Sequence, residues 1–375
     1  MKKSILLLSA YDARSHRQWR GSLAEMFPDY AWTQLSLPPR HFNWRIRGNS
    51  LSWGFGQRPL LTEKFDLLIA TSMVDLSSLR GFVPPLAQIP TMVYCHENQF
   101  VYPASNAQYS SVEPRLTSLY TVLCADQVVF NSSYNRSTFI EGAEQLLNLF
   151  PDYVPAGLVT VLQQSRVIPV PLPSACQTSL AHHRIDSKPA CLQVVWNHRW
   201  EYDKGPMLLL AIANAIAARS LPICLHVAGE SFRRQPEEFQ LVGQIMQQHC
   251  RRLKLEPPQF GFIPTAQDYY RLLSSCDVVL STALHDFQGM AMLEAMTCGC
   301  TPLAPERLVY PEYLPPDCLY QTGNINVECE AIIEKLGQWW EILQHRGELP
   351  KVNASRFSPV SLKPEYANLF SELTD

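Results

Sequence analysis

Val194-Val195-Trp196-Asn197-His198-Arg199-Trp200-Glu201-Tyr202-Asp203-Lys204-Gly205 begins as an apolar run, breaks into polar and charged residues, and ends on a glycine ahead of a helical period, Pro206–Arg219. A short apolar run handing over to a helix is the βα unit of a parallel sheet covered on both faces. The alternation recurs downstream, with strands predicted at Leu192–Asn197, Ile223–Ala228, Pro258–Phe262, Val278–Thr282 and Thr301–Ala304. Helices are predicted between and after them at Glu237–Leu253, Gln267–Cys276, Met290–Cys298 and Glu328–Leu343. Upstream, strands are predicted at Ser4–Ala10, Ala31–Leu37, Phe65–Thr71, Thr91–Cys95, Gln127–Asn131 and Arg166–Val170, and helices at Arg17–Phe27, Glu113–Cys124 and Asn135–Phe150. The expected fold is α/β: two Rossmann-like domains, residues 1–173 and 190–357, joined by a proline-rich linker at 174–189. An amphipathic segment, 358–375, is expected to pack back on the first domain, and the carboxyl ends of the two sheets to face each other across a cleft.

Composition agrees with a large globular protein. The chain has 375 residues, enough for two or three domains, and 46% hydrophobic with 17% charged residues excludes a disordered one. Lys and Arg number 31 against 34 Asp and Glu, a net charge of −3, so a polyanion must be met by a local patch. Pro outnumbers Gly, 29 to 16, which stiffens the loops. The 11 cysteines show no zinc-like pairing and read as free, mostly buried thiols of a reducing compartment, the cytoplasm. Met1-Lys2-Lys3 resembles the start of a signal peptide, but the apolar run after it soon meets Asp12, Arg14, His16 and Arg17, which suits a first buried strand instead. No apolar run approaches the roughly 18 residues of a membrane span.

Four segments carry chemistry. Arg199 and Lys204 follow the first strand of the second domain, where two fixed cations can neutralise a departing diphosphate. His285-Asp286-Phe287-Gln288-Gly289-Met290-Ala291-Met292-Leu293-Glu294 puts a carboxylate after a strand, a glycine where a helix begins, and a second carboxylate inside that helix. Backbone N–H groups at Gly289 and Met290 suit a phosphate, and Glu294 suits ribose hydroxyls. The alternative is that Asp286 caps the helix and Glu294 is solvated. In the first domain, His96-Glu97-Asn98-Gln99 follows a strand and precedes Tyr102-Pro103, and Ser15 and His16 follow the first strand; all are candidates to touch an acceptor. Between Tyr30 and Thr62 there is no Asp or Glu, while Arg40, Arg45, Arg47 and Arg58 interleave with Phe42, Trp44, Trp53 and Phe55. That pattern suits unpaired RNA, with Arg40, Trp44, Arg45, Arg47 and Arg58 as candidates; the alternative is a partly buried loop with ordinary surface arginines.

At Arg199 with Lys204, and at Asp286 to Glu294, the sequence resembles the retaining GT-B glycosyltransferases of the large family-four group. Ser15-His16-Arg17-Gln18-Trp19, His96-Glu97-Asn98-Gln99 with Tyr102-Pro103, Asn131-Ser132-Ser133-Tyr134-Asn135 and Trp196-Asn197-His198-Arg199-Trp200-Glu201-Tyr202-Asp203-Lys204 narrow the likeness to the tRNA-queuosine α-mannosyltransferases and their bacterial relatives. Asp286 stands where the group has Glu, and Ala13-Arg14 where a Gly-Gly pair is associated with the first loop. The resemblance implies a GT-B fold and metal-independent, retaining transfer of mannose from GDP-mannose, or from another nucleotide sugar. The acceptor implied is the cyclopentene hydroxyl of queuosine at the wobble position of a tRNA, with no membrane partner and no cofactor. It implies that Arg199 and Lys204 hold the diphosphate, Glu294 the ribose, and Asp286 with the Gly289–Met290 backbone the sugar and phosphate, while His96 orients a sugar hydroxyl. A glycosidase built on Asp286 and Glu294 is disfavoured, because it leaves Arg199 and Lys204 without a part. Two rivals stay open: a same-fold transferase acting on a lipid, glycan or small molecule, and a binding module without catalysis.

Overall fold

The computed structural model describes residues 2–101, 112–154, 157–177, 189–230 and 235–375. Tyr102-Pro103 and most of the predicted linker lie outside the described residues. The chain divides into two compact units, Met1–Pro171 with Phe357–Asp375, and Leu172–Arg356.

The first unit is built on a six-stranded parallel sheet. Its strands are β1 (Ser4–Ser9), β2 (Ala31–Ser36), β3 (Leu67–Thr71), β4 (Thr91–Cys95), β5 (Gln127–Phe130) and β6 (Arg166–Val167), in the order β2-β1-β3-β4-β5-β6. The apolar runs are strands because both faces are covered: every residue of β3 and β4 is buried. Helices Arg14–Met26, Phe42–Gly56, Leu76–Phe82, Glu113–Leu123 and Ser133–Leu147 connect the strands. The second of these occupies the basic stretch that reads as unpatterned. Its buried residues, Ile46, Asn49, Ser50 and Trp53, fall at helical spacing, but exposed Trp44, Leu51 and Phe55 blur the contrast between faces.

The helix Pro359–Thr374 also belongs to the first unit. Ser358 caps it by accepting the Ser361 N–H at 3.2 Å. Tyr366 Oη accepts the Trp19 indole N–H at 2.9 Å and donates to Pro169 O at 3.0 Å, while Phe370 packs 5.2 Å from Phe27.

The second unit repeats the plan with β7 (Leu192–Trp196), β8 (Ile223–Ala228), β9 (Phe260–Gly261), β10 (Val278–Leu280), β11 (Thr301–Pro305) and β12 (Leu319–Tyr320). The order is β12-β11-β10-β7-β8-β9, the doubly wound Rossmann order, in which the chain reverses direction across the sheet between β7 and β10. The loops leaving those two strands are where such a sheet offers a crevice, and they are the two stretches carrying Arg199, Lys204 and Asp286.

All eleven cysteines are free, and all but Cys124 are buried. No helix among the described residues is long and apolar enough to cross a membrane.

Candidate active site

In the second unit the loops after β7 and β10 are locked together by backbone bonds. Leu284 N and His285 N both donate to Asp203 O, at 2.9 and 3.2 Å, and Thr282 Oγ1 donates to Lys204 O at 2.6 Å. Gly205 follows with φ 69°, where a Cβ would lie 2.0 Å from Thr282 O, so the two loops approach this closely only with glycine there. Pro206 then opens the helix Pro206–Ala218.

That lock buries Lys204 against the second loop. Its Nζ donates to His285 O at 2.6 Å and lies 3.2 Å from Asp203 Oδ2 and 3.8 Å from Asp286 Oδ2. Asp286 Oδ1 accepts the Gly289 N–H at 2.9 Å, and Oδ2 accepts the Tyr310 hydroxyl at 3.2 Å. Asp286 therefore does bind the helix start, as a cap would, and it faces the buried cation as well. Burial works against its charge, but Lys204, His198 and the Gly289 N–H outweigh it and hold the carboxyl below its ordinary value. Gly289, at φ 72°, turns the chain into the helix Met290–Thr297, and a Cβ there would meet the Tyr313 hydroxyl at 2.4 Å. The N–H groups of this first turn have no intrahelical acceptor and suit an anion.

Glu294 is buried, not solvated. Its Oε2 accepts the Tyr269 hydroxyl at 3.0 Å, and Asn197 Nδ2 donates to that hydroxyl at 2.9 Å and to Ala291 O at 2.8 Å. Asn197 closes β7 and neighbours the loop of Arg199, so this chain of bonds ties Glu294 to the first basic loop. Arg199 is half-exposed and pairs with Glu201 at 2.8 Å. Between the arginine and Asn197, buried His198 has no hydrogen-bond partner for Nε2 among the described residues. Burial, and then the charge of Lys204, push its imidazole down to about 4. Asn197, Tyr269, Tyr310 and His198 are absent from the sequence-based candidates.

In the first unit, His16 stacks on His96 with ring centroids 3.9 Å apart, and Trp19 meets His96 edge-on at 5.0 Å. His16 Nε2 lies 3.2 Å from Glu97 Oε2. Neither ring nitrogen of His96 has a partner among the described residues. Burial, reinforced by the facing His16, holds its imidazole well below the usual range, so it is neutral and can donate from one nitrogen while accepting at the other. Ser15 is half-buried in the first turn of the helix Arg14–Met26, and Gln99 Nε2 approaches Met73 Sδ at 3.8 Å.

Two candidates already have partners within the unit. Asn98 does not face an acceptor: its amide donates to Asn135 Oδ1 at 2.9 Å and Thr138 Oγ1 at 3.1 Å, while its carbonyl takes the Phe100 N–H, so it pins the loop to the helix Ser133–Leu147. Arg47 is exposed and already pairs with buried Asp75 at 3.0 Å and with Glu113 at 3.1 Å. Trp53, one of the interleaved aromatics, is in the core. Arg40 and Arg58 are exposed, and Arg45 is half-buried.

A buried cation, a carboxylate and a helix start meet at the switch point of one Rossmann-like unit, and the chain carries a second such unit, the architecture of the GT-B fold. The fold is shared with Anabaena HepE solved in complex with UDP and glucose, at TM-score 0.60 and 17% identity over 99% of this chain and 100% of that one. It is shared also with sucrose-phosphate synthase of Thermosynechococcus elongatus, at TM-score 0.64 and 14% identity over 99% of each chain. A family model described as tRNA-queuosine alpha-mannosyltransferase N-terminal matches residues 4–172. The tRNA-queuosine alpha-mannosyltransferase of Drosophila melanogaster is 32% identical over 384 residues, 99% of this chain and 97% of that one. The chain belongs to the tRNA-queuosine alpha-mannosyltransferase family.

Proposed function

We propose that the protein transfers mannose from GDP-mannose, with retention, to the cyclopentene hydroxyl of queuosine at the wobble position of a tRNA in the cytoplasm. The observation that carries the donor half is the convergence of Lys204, Asp286 and the Gly289 turn, with Lys204 Nζ 3.8 Å from Asp286 Oδ2. The relative's name supports the sugar and the acceptor.

In this reading Lys204 and Arg199 take the diphosphate together with the N–H groups of the Met290 turn. Glu294, oriented by Tyr269, accepts from the ribose hydroxyls. Asp286, its carboxylate oriented by Tyr310 and the Gly289 N–H, holds a sugar hydroxyl. The bond from the anomeric carbon to the phosphate oxygen breaks as the acceptor oxygen bonds to the same face. The acceptor proton passes to the departing phosphate oxygen. Negative charge grows on the diphosphate during this step, so the two cations stabilise the transition state more than the ground state. No divalent ion is assigned a part, and chelators are expected to leave the rate unchanged. Neutral His96 orients a sugar hydroxyl, and Ser15, His16, Glu97 and Gln99 serve the acceptor side.

The test is mass spectrometry of nucleosides from queuosine-bearing tRNA incubated with the purified protein and GDP-mannose. The expected product is queuosine heavier by one hexose. No hexosylated nucleoside with any sugar nucleotide would overturn the proposal.

A further inference from the structure

The helix Phe42–Gly56 has two unlike faces. Inward, Asn49 Nδ2 donates to Met73 O at 3.2 Å and its carbonyl accepts the Asp75 N–H at 3.0 Å, while Trp53 enters the core. Outward, Trp44, Leu51 and Phe55 are 79%, 54% and 65% exposed. Their spacing puts all three on one stripe of an α-helix. Gly48, one turn beyond Trp44, leaves a gap in the stripe: a Cβ there would meet nothing within 4 Å.

Cations predominate beside the stripe, and the exposed carboxylate there, Glu113, is matched by Arg47. Arg45 Nε touches Arg40 O at 3.4 Å, and Arg58 donates to Phe82 O at 2.8 Å. Among the described residues none of Arg40, Arg45 and Arg58 pairs with a carboxylate, in contrast to Arg47 on the flank. Those three guanidinium groups beside exposed aromatic rings complement a polyanion that also offers flat apolar bases.

Topology places the stripe's leading end. In a parallel sheet the segments leaving β1, β2, β3 and β4 emerge at one edge, and here they carry His16, Arg40 to Trp44, Met73, and His96 to Gln99. Phe42 packs 5.8 Å from Tyr11, just past β1, and Gln99 reaches Met73. Trp44 therefore stands at the edge that carries His96, and the stripe runs back from it for about 16 Å to Phe55.

We propose that this outer face seats the unpaired loop of the acceptor tRNA. A base stacks on the Trp44 indole, and Arg40, Arg45 and Arg58 meet the flanking phosphates. The inference rests on the reading that a tRNA is the acceptor.

The experiment measures binding of the full chain to a queuosine-bearing tRNA by fluorescence anisotropy across a potassium chloride series. Trp44→Ala should weaken binding about tenfold, and Trp44→Phe should recover most of the loss. Arg40→Ala with Arg45→Ala should flatten log K against log salt by about 0.7 for each phosphate left without its guanidinium. The altered side chains lie outside the core, so melting temperature and GDP affinity should not move. Unchanged tRNA affinity in all these variants, with the wild type binding, would overturn this assignment and leave the acceptor reading standing. A wild-type protein that binds no tRNA would remove both. A concentration-dependent dimer that Phe55→Ser abolishes without altering tRNA affinity would assign the stripe to a second copy of the chain and overturn the proposal.

Discussion

Lys204 carries three donor positions, and in this structure its partners are the His285 carbonyl and the carboxylates of Asp203 and Asp286. Replacing it with Gln keeps the length and a hydrogen bond but removes the charge that would answer a departing diphosphate. Lys204→Gln should lower kcat by about 10²–10³, the range for losing one preorganised electrostatic group, as measured by steady-state release of GDP. Histidines set a second expectation. His226 donates from Nε2 to Gln193 Oε1 at 2.7 Å and accepts the Gln259 N–H at Nδ1 at 2.9 Å, an arrangement only the neutral ring satisfies. Burial pushes it, like His198, from 6.5 to about 4. The unfolded chain therefore takes up protons between those limits that the folded chain does not. Stability is complete above about pH 6.5 and falls as the pH drops toward 4, by up to about 3 kcal/mol for each such ring. Urea midpoints at descending pH test this, and His226→Gln should shrink the acid-side loss. Lys204, Asp286 and Gly289, which the structure brings together, could be picked out in the sequence because loops leaving parallel strands carry chemistry. The Asn197–Tyr269–Glu294 chain could not, because Tyr269 and Glu294 are 25 positions apart on different helices and no local pattern pairs them.

At the scale of elements, the two loops of the donor site hold one shape because glycine stands where they touch. Gly205→Ala would place a methyl carbon 2.0 Å from a backbone oxygen at positive φ, and neither atom can move without breaking the Thr282–Lys204 bond. It should cost about 2–4 kcal/mol of stability by chemical denaturation and abolish GDP binding. Strand positions were predictable to within a residue or two where both faces are buried, as at Thr91–Cys95 and Ile223–Ala228, which match the observed strands in full. The short β9 and the helices Phe42–Gly56 and Leu76–Phe82 were less so. In the first helix, Gly48 and Gly54 weaken helical propensity, and Gly54 packs its bare backbone against Phe82, a neighbour no local window contains. Tertiary packing, not propensity, makes that segment helical.

Across the whole molecule, the first unit is discontinuous in sequence, since Pro359–Thr374 returns to cover Trp19 and Phe27. Removing residues 359–375 should expose that aromatic surface and lower the melting temperature of the first unit by more than 10 °C, about what the loss of several kcal/mol implies. The second unit, whose donor residues all lie in Leu172–Arg356, should still bind GDP by calorimetry. Alternation of strands and helices pointed to the two Rossmann-like units, and the amphipathic pattern of 358–375 to its packing on the first; the partners that hold it there, Trp19 and Pro169, lie 347 and 197 positions from Tyr366 and no local pattern names them.

That discontinuity sets an order for biosynthesis. The segment 172–356 is continuous and draws its core from residues made in one run. The first 171 residues, made earlier, keep an open seam along Trp19 until residues 357–375 follow them out of the exit tunnel. For that interval the nascent chain exposes an apolar groove of the kind chaperones cover.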